Sequence, residues 1–422
     1  MTKHKNKAAK KKFFKRKDNR GKVFKKAEKP PEAAIPKLRE RGRFQLIEEL
    51  GGIDVPMCSH GPCLLFEDKK EGMRYFSCAI YRGDAEKCDY KGVVEADGTV
   101  NKASVGDVVP VKATYEYGSI PAKLKTIPKE SKIVYCPTCN DIFADKHKHP
   151  GEFVKRAILR RPSTVLAALD EQHGMAQYFF APSSLALIAS TIDATKYDGV
   201  LCLGSPRLHE TLLAEKKEGR THFMLDWDER YLPFYAASAC ARYSMLVDYF
   251  PDKKAQRRLE KWMAGVSRLL IVCDPPFGVF VEPLVRNIEL MRQRHRSARA
   301  DQPATSNSLL FLPVFVGKHA LKTYNGELWM SDYRVLYDNH KDFAKRGKTI
   351  VRIFTDLSKD AIDLSEEEGY RFCAMCEKWV DNDNVHCGMC GDCPSRDGQP
   401  MKHCPLCMRC AKASYRHCRQ CS

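Results

Sequence analysis

Apolar positions in this chain fall into short, nearly uncharged runs confined to its middle, roughly residues 155–365. Val200-Leu201-Cys202-Leu203 ends in Gly204, Phe223-Met224-Leu225 ends in Asp226, and Leu269-Leu270-Ile271-Val272-Cys273 runs into Asp274. Leu309–Leu312, continued past Pro313 by Val314-Phe315-Val316, reads as one further strand, and Ile350–Phe354 as a last one. Unbroken runs of this length predict strands covered on both faces, the mark of a parallel sheet sandwiched between helices. Ser205-Pro206-Arg207 reads as the start of a helix after the first of these strands. The expected class is α/β, Rossmann-like. The basic stretch Arg292-Gln293-Arg294-His295-Arg296 is read as following a helix, either tracking an RNA backbone or forming a solvated loop.

The two ends have no such pattern. Residues 1–45 hold 18 Lys and Arg against 4 Asp and Glu, a net +14 out of the chain's +18. Such a low-complexity arm predicts disorder and attraction to polyanions through counterion release. Lys10-Lys11-Lys12 and Lys15-Arg16-Lys17 also suit a nuclear or nucleolar address, the alternative being a solubilising charge run. Phe13-Phe14 lies among lysines, so no secretory core is visible, and no uncharged apolar run approaches membrane-spanning length. An intracellular chain keeps its thiols reduced, and clustered Cys and His then read as metal ligands rather than disulfides.

Of 19 cysteines, six lie between 58 and 139, three between 202 and 273, and ten between 373 and 421. Cys58, His60, Cys78 and Cys88 have the spacing of a tetrahedral zinc site across a hairpin, leaving Cys63 as a buried apolar residue. Gly72-Met73-Arg74-Tyr75-Phe76 between them resembles, loosely, the Gly-Arg-Phe stretch of GRF-type fingers and offers rings for base stacking. Cys136 and Cys139 with His147 and His149 form a C2H2-like set, although the two His are unusually close; either both ligate or one does so with another group.

The last fifty residues have too few large apolar side chains to fold by burial, so metal must supply their stability. One partition groups Cys373, Cys376, His386 and Cys393; Cys387, Cys390, His403 and Cys410; and Cys404, Cys407, His417 and Cys421, with Cys418 adjacent. The spacing also resembles the Cys-rich domain of palmitoyltransferases, but their Asp-His-His-Cys nucleophile and membrane helices are missing here.

Gly204 and Asp226 stand 22 residues apart, at the ends of consecutive strands. Glycine turn, helix, then acid at that interval is the arrangement in which backbone approaches a nucleotide and the carboxylate takes its ribose hydroxyls. An acid at a strand end can equally cap a helix. The next run leads into Asp274-Pro275-Pro276-Phe277, where proline forces the chain out of the sheet at its carboxyl edge. There the carboxylate and a proline carbonyl can accept both N–H groups of an exocyclic amine while Phe277 stacks on the base.

This loop resembles that of the amino-methyltransferases, which carry Asp or Asn, Pro, Pro and an aromatic. The wider pattern is similar to the zinc-finger CCHC-domain-containing rRNA N6-adenosine methyltransferase family. It comprises Gln177–Phe180, Cys202–Glu210, Leu225–Asp228, Asp332-Tyr333, Tyr337–His340 and Val351–Thr355, together with the fingers. That resemblance implies S-adenosylmethionine as cofactor, held by Phe180, Gly204, Ser205, Pro206, Arg207, Asp226 and Asp274, with Asp274–Phe277 catalytic. It further implies several zinc ions, an adenosine of large-subunit rRNA as target, and a nuclear, nucleolar location with possible cytoplasmic presence. The domains expected are a tail over 1–45, a GRF-type finger over 46–100, and a linker with a C2H2-like finger over 101–155. A class I methyltransferase domain over 156–365 and a Cys/His-rich domain over 366–422 complete them. The C-terminal array is denser than the family's single knuckle, and the glycine loop has one Gly. DNA adenine, a protein glutamine, or an inactive RNA-binding domain remain alternatives, the tail and fingers arguing against glutamine.

Overall fold

The computed structural model describes residues 43–81, 88–103, 114–169, 176–300, 302–324, 328–395 and 401–417. The chain divides into Met1–Arg43 and Phe44–Ser422. Nearly all of the basic tail, and also Cys418 and Cys421, lie outside the described residues.

The central sheet has seven strands: β1 (Gly199–Leu203), β2 (Thr221–Asp226), β3 (Cys240–Arg242), β4 (Arg268–Cys273), β5 (Thr305–Pro313), β6 (Trp329–Met330) and β7 (Val351–Thr355). Their order is β3-β2-β1-β4-β5-β7-β6, with β7 antiparallel to both its neighbours and the other pairs parallel. This is the Rossmann-like arrangement expected from the sequence, in which the order reverses beside β1. The reversal opens a crevice at the carboxyl ends of β1 and β4.

Why the strand runs are unbroken is visible in the packing. Val200, Cys202, Met224, Leu270, Val272 and Phe311 point into one core, against helices α1 (Pro182–Thr195) and α2 (Pro206–Glu215). Their sequence neighbours Leu201, Leu203, Phe223, Ile271 and Leu310 point into a second core on the other face. That face is covered by α3 (Lys253–Ala264), α4 (Val281–Ala298) and α5 (Val314–Thr323). Alternate residues serve opposite layers, so every position must be apolar.

Two expectations are corrected. Val314-Phe315-Val316 is not strand but the first turn of α5. Pro313 ends the ladder, Phe315 is exposed, and Val316 packs inward, a helical rather than a strand-like sorting of the faces. Gly317 lets α5 lie on β7, because a Cβ there would fall within the Phe354 ring. The basic stretch 292–296 does not follow a helix; it lies within α4. Arg292 is buried and donates to Asp356 and Ser308 at 2.7 and 2.8 Å, while Arg294 donates to Asp248 at 2.6 Å. His295 is fully buried between Ser306 and the Val266 carbonyl. These groups hold the domain together and are not presented to RNA.

The flanking regions are antiparallel. Strands Phe44–Ile47, Gly61–Asp68, Met73–Cys78, Lys91–Val94 and Val100–Ala103 form one sheet in that order, and Met57–Cys58 pairs with Gly61–Asp68. Its core contains Leu65, Phe66, Phe76 and Cys63, the last buried as an apolar residue. Ile133–Cys136, Asp141–Ala144 and Glu152–Val154 make a three-stranded sheet, and two hairpins, Tyr370–Cys373 with Lys378–Asp381 and Met401–Cys404 with Arg409–Lys412, carry Cys373, Cys376, Cys404, Cys407 and Cys410. No helix among the described residues is long and apolar enough to cross a membrane.

Candidate active site and metal centres

The chain leaves β1 through Gly204, whose φ of +65° is open to glycine at little cost. Its N–H donates to the Leu225 carbonyl at 2.8 Å, and the Asp274 N–H donates to the Leu203 carbonyl at 3.0 Å. The ends of β1, β2 and β4 are thereby locked side by side. A Cβ at Gly204 would sit 2.7 Å from the Asp274 carbonyl oxygen and 2.9 Å from Met245 Cε. Any side chain at position 204 would thus displace the Asp274–Phe277 loop or fill the space in front of it.

That space is a cleft whose walls include Gly204, Pro206, Asp226, Asp274 and Phe277. The residues fit a bound nucleoside, since a backbone cradle, a strand-end acid and an aromatic face converge there. Asp226 is half-buried, and its Oδ1 accepts the Asp228 N–H at 2.9 Å. Burial, reinforced by the nearby Asp228 charge, pushes its carboxyl up to about 7. Asp274 is buried, and burial raises it well above the usual carboxylate range; the Asp226 charge adds to this and the Tyr337 hydroxyl opposes it.

Tyr337 belongs to the family pattern read in the sequence, but its place at the site was not among the expectations. It is fully buried and donates its hydroxyl to Asp274 Oδ1 at 2.7 Å, fixing the carboxyl and leaving Oδ2 as its second acceptor. In the loop itself, the Val279 N–H takes the Pro276 carbonyl at 3.0 Å, whereas no donor among the described residues reaches that of Pro275. Among the described residues, Asp274 Oδ2 and the Pro275 carbonyl thus both remain without a donor. Phe277 stacks on Tyr178 with ring centroids 5.0 Å apart and planes 9° apart, and meets Tyr337 and Phe343 edge-on.

Three residues expected at the cofactor do not line the cleft. Phe180 is 1% exposed and packs behind it on Phe311 and Tyr337, while its neighbour Phe179 lines the wall. Ser205 is buried with its hydroxyl directed at the Val272 carbonyl, 3.4 Å away. Arg207 pairs with Asp338 at 2.8 Å and lies over the Phe179 ring, tying α2 to the segment that carries Tyr337.

Among the described residues, Cys and His gather in five groups, each with its ligand atoms within 4.8 Å of one another. They are Cys58, His60, Cys78 and Cys88; Cys136, Cys139, His147 and His149; Cys373, Cys376, His386 and Cys393; Cys387, Cys390, His403 and Cys410; and Cys404, Cys407 and His417. Both His of the second group are drawn in, at 3.3 and 3.2 Å from Cys139 Sγ and 3.3 Å from each other. Tetrahedral zinc with ordinary bond lengths sets its ligands roughly 3.3–3.8 Å apart. Cys376 and Cys393 are 3.8 Å apart, Cys390 and Cys410 3.6 Å, and His386 Nδ1 is 3.2 Å from Cys376. These donor sets fit zinc in both chemistry and dimensions.

Comparison with known proteins places this geometry. A family model described as probable N6-adenine methyltransferase matches residues 171–343. A Xenopus tropicalis protein named rRNA N(6)-adenosine-methyltransferase ZCCHC4 is 34% identical over 362 residues, covering 79% of this chain and 73% of its own length. The Homo sapiens protein of the same name is 31% identical over 377 residues, covering 82% and 72%.

Proposed function

This chain belongs to the family of rRNA N6-adenosine methyltransferases, and we propose that it methylates an adenosine of large-subunit ribosomal RNA with S-adenosylmethionine as donor. One observation carries the reading: Gly204, Asp226 and Asp274–Phe277 line a single cleft, with Asp274 aimed by a buried tyrosine.

The cofactor, when bound, supplies an electrophilic methyl group on a sulfonium. Gly204 and Pro206 would hold it by backbone approach and Asp226 by its ribose hydroxyls. The rest is done by the protein's own groups. An adenine amine is a poor nucleophile because its lone pair is shared with the ring. Asp274 Oδ2 and the Pro275 carbonyl accept its two N–H bonds, draw the nitrogen toward tetrahedral geometry and orient the lone pair. The nitrogen gains a methyl group and loses one proton, for which Asp274 is the adjacent acceptor. Phe277 stacks on the unpaired base, and Tyr337 keeps the carboxylate in register.

The fingers hold zinc and extend the RNA surface on this reading. Tyr75, under Lys91 Nζ at 4.8 Å and edge-on to the exposed Phe44, suits a single-stranded base. The basic tail adds non-specific affinity and a nucleolar address. The decisive experiment presents labelled S-adenosylmethionine with RNA, DNA and protein fractions side by side. Label in RNA, recovered as N6-methyladenosine from the large subunit, is expected. Label in DNA or protein would replace the substrate reading, and silence of folded protein on every fraction would favour an inactive domain.

A further inference from the structure

Two residues in the wall of the cleft, Ala79 and Ile80, do not come from the central domain at all. They belong to the first finger and directly follow its ligand Cys78. The N–H groups of Ile80 and Tyr81 donate to Cys78 Sγ at 3.4 and 3.3 Å, and the Cys88 N–H donates to the Tyr81 carbonyl at 3.1 Å. The position of Ile80 is therefore tied to the Cys78 sulfur, and that of Tyr81 to the same sulfur and to the backbone of Cys88, both Cys belonging to the candidate metal set.

The finger is pressed against the nucleoside side of the cleft. Trp227, next to the ribose-binding Asp226, and Val247, beyond the end of β3, pack on the finger core. Phe280 joins them, its ring 5.5 Å from that of Phe66. A Cβ at Gly61 would meet the Tyr249 ring at 2.7 Å, so the finger and the loop after β3 approach as closely as a glycine allows. Beyond the ribose, an adenine ring needs flat apolar surfaces on both sides. Met245 and Leu246 line the cleft from the loop after β3, and Ile80 lines it from the finger.

We infer that the first zinc finger is a structural part of the cofactor site: Ala79 and Ile80 close the nucleoside end of the cleft, and the metal at Cys58, His60, Cys78 and Cys88 holds them there. The inference rests on the reading that the cleft takes S-adenosylmethionine. It makes cofactor affinity depend on this finger's zinc in the absence of any RNA.

The test is calorimetric titration of the full-length protein with S-adenosylhomocysteine, without RNA, alongside zinc content and thermal unfolding of each sample. Removing most of an apolar wall residue in Ile80→Ala should weaken binding roughly tenfold, and a carboxylate in Ile80→Asp on the order of a hundredfold. Cys88→Ala, which breaks the metal set, should lose one zinc and weaken binding at least as much as Ile80→Ala. Ile80→Ala guards against misfolding of the harsher variants, because a folded, zinc-replete protein with reduced affinity is the specific signature. Wild-type affinity in folded Ile80→Ala and Ile80→Asp, or zinc loss in Cys88→Ala with affinity unchanged, would overturn the inference alone. A folded wild type that binds no S-adenosylhomocysteine would overturn the cofactor reading of the cleft and this inference with it.

Discussion

Replacing Asp274 by alanine separates what this side chain does for the fold from what it does for the reaction. In the folded protein its Oδ1 accepts the hydroxyl of the fully buried Tyr337 at 2.7 Å. Asp274→Ala removes that acceptor and leaves the hydroxyl without its partner, at a cost of about 1–3 kcal/mol. At roughly 2–4 °C per kcal/mol for a domain of this size, the melting temperature should fall measurably. Adding Tyr337→Phe removes the stranded group as well, so the double variant should recover most of the lost stability. Turnover should not recover. Loss of one positioned acceptor at the reacting amine costs on the order of 100-fold or more in rate, in the single and double variants alike. The loss should appear under single-turnover conditions with saturating cofactor and RNA, because Asp274 acts in the transition state rather than on binding. Folded Asp274→Ala that methylates RNA at the wild-type rate would refute the mechanism. Recovery of turnover in the double variant would show instead that the defect was structural.

Phe277→Ala should be milder and fall partly on RNA affinity, since stacking contributes about 1–3 kcal/mol per base; a pure rate effect with unchanged RNA binding would contradict the stacking role. Deleting residues 1–45 removes 14 net positive charges and should weaken RNA binding and flatten its salt dependence, an unchanged slope reducing the tail to an address or solubiliser. Metal analysis of purified protein should return several zinc ions per chain, whereas trace zinc with freely titrating thiols in folded protein would refute the metal assignment. Asp226 must be ionised to accept both ribose hydroxyls well, so S-adenosylhomocysteine affinity should be full above its carboxyl's value of about 7 and weaken as the pH falls through it. A flat profile from pH 8 down to pH 6, set by titration calorimetry, would contradict that role (a range of about one unit on either side).

The sequence disclosed most where burial is symmetrical and least where it depends on distant partners. Strands β1, β2 and β4 were legible because both faces are covered and each run of residues is apolar throughout. Strands β3 and β6, with three and two residues, carry no run to see. Arg292 and His295 looked like surface cations because nothing local marks them as buried; Arg292's partners are Ser308 on β5 and Asp356 beyond β7. Family resemblance pointed to Phe180, but adjacent residues in an extended segment face opposite ways, and it is Phe179 that reaches the cleft. Tyr337 lies 63 residues from Asp274 and Ile80 lies 194 residues before it, so neither contact leaves a trace in any local pattern.

Electrostatics connects the two acids to the proposed chemistry. Asp226 and Asp274 face one cleft, and the charge on Asp226 adds to the burial that pushes the Asp274 carboxyl up. The neighbouring cations are committed elsewhere: Arg230 to Asp228 at 2.7 Å, Arg242 to Glu229 at 3.0 Å, and Arg207 to Asp338 at 2.8 Å. Among the described residues no Lys or Arg forms an ion pair with either acid. A site built this way is poor at keeping two carboxylates ionised by itself and well suited to a ligand that brings a positive charge. Burial that penalises the bare carboxylates also strengthens their attraction to a cation, because the same low polarity weakens screening. On the proposed reading, the sulfonium donor would favour ionisation of Asp274 at the point where an acceptor for the amine is required. The neutral thioether left after transfer would no longer supply that charge to the two acids. On that reading the charge brought by the donor and absent from the product would act on the same two acids, so this one arrangement of charge would distinguish donor from product.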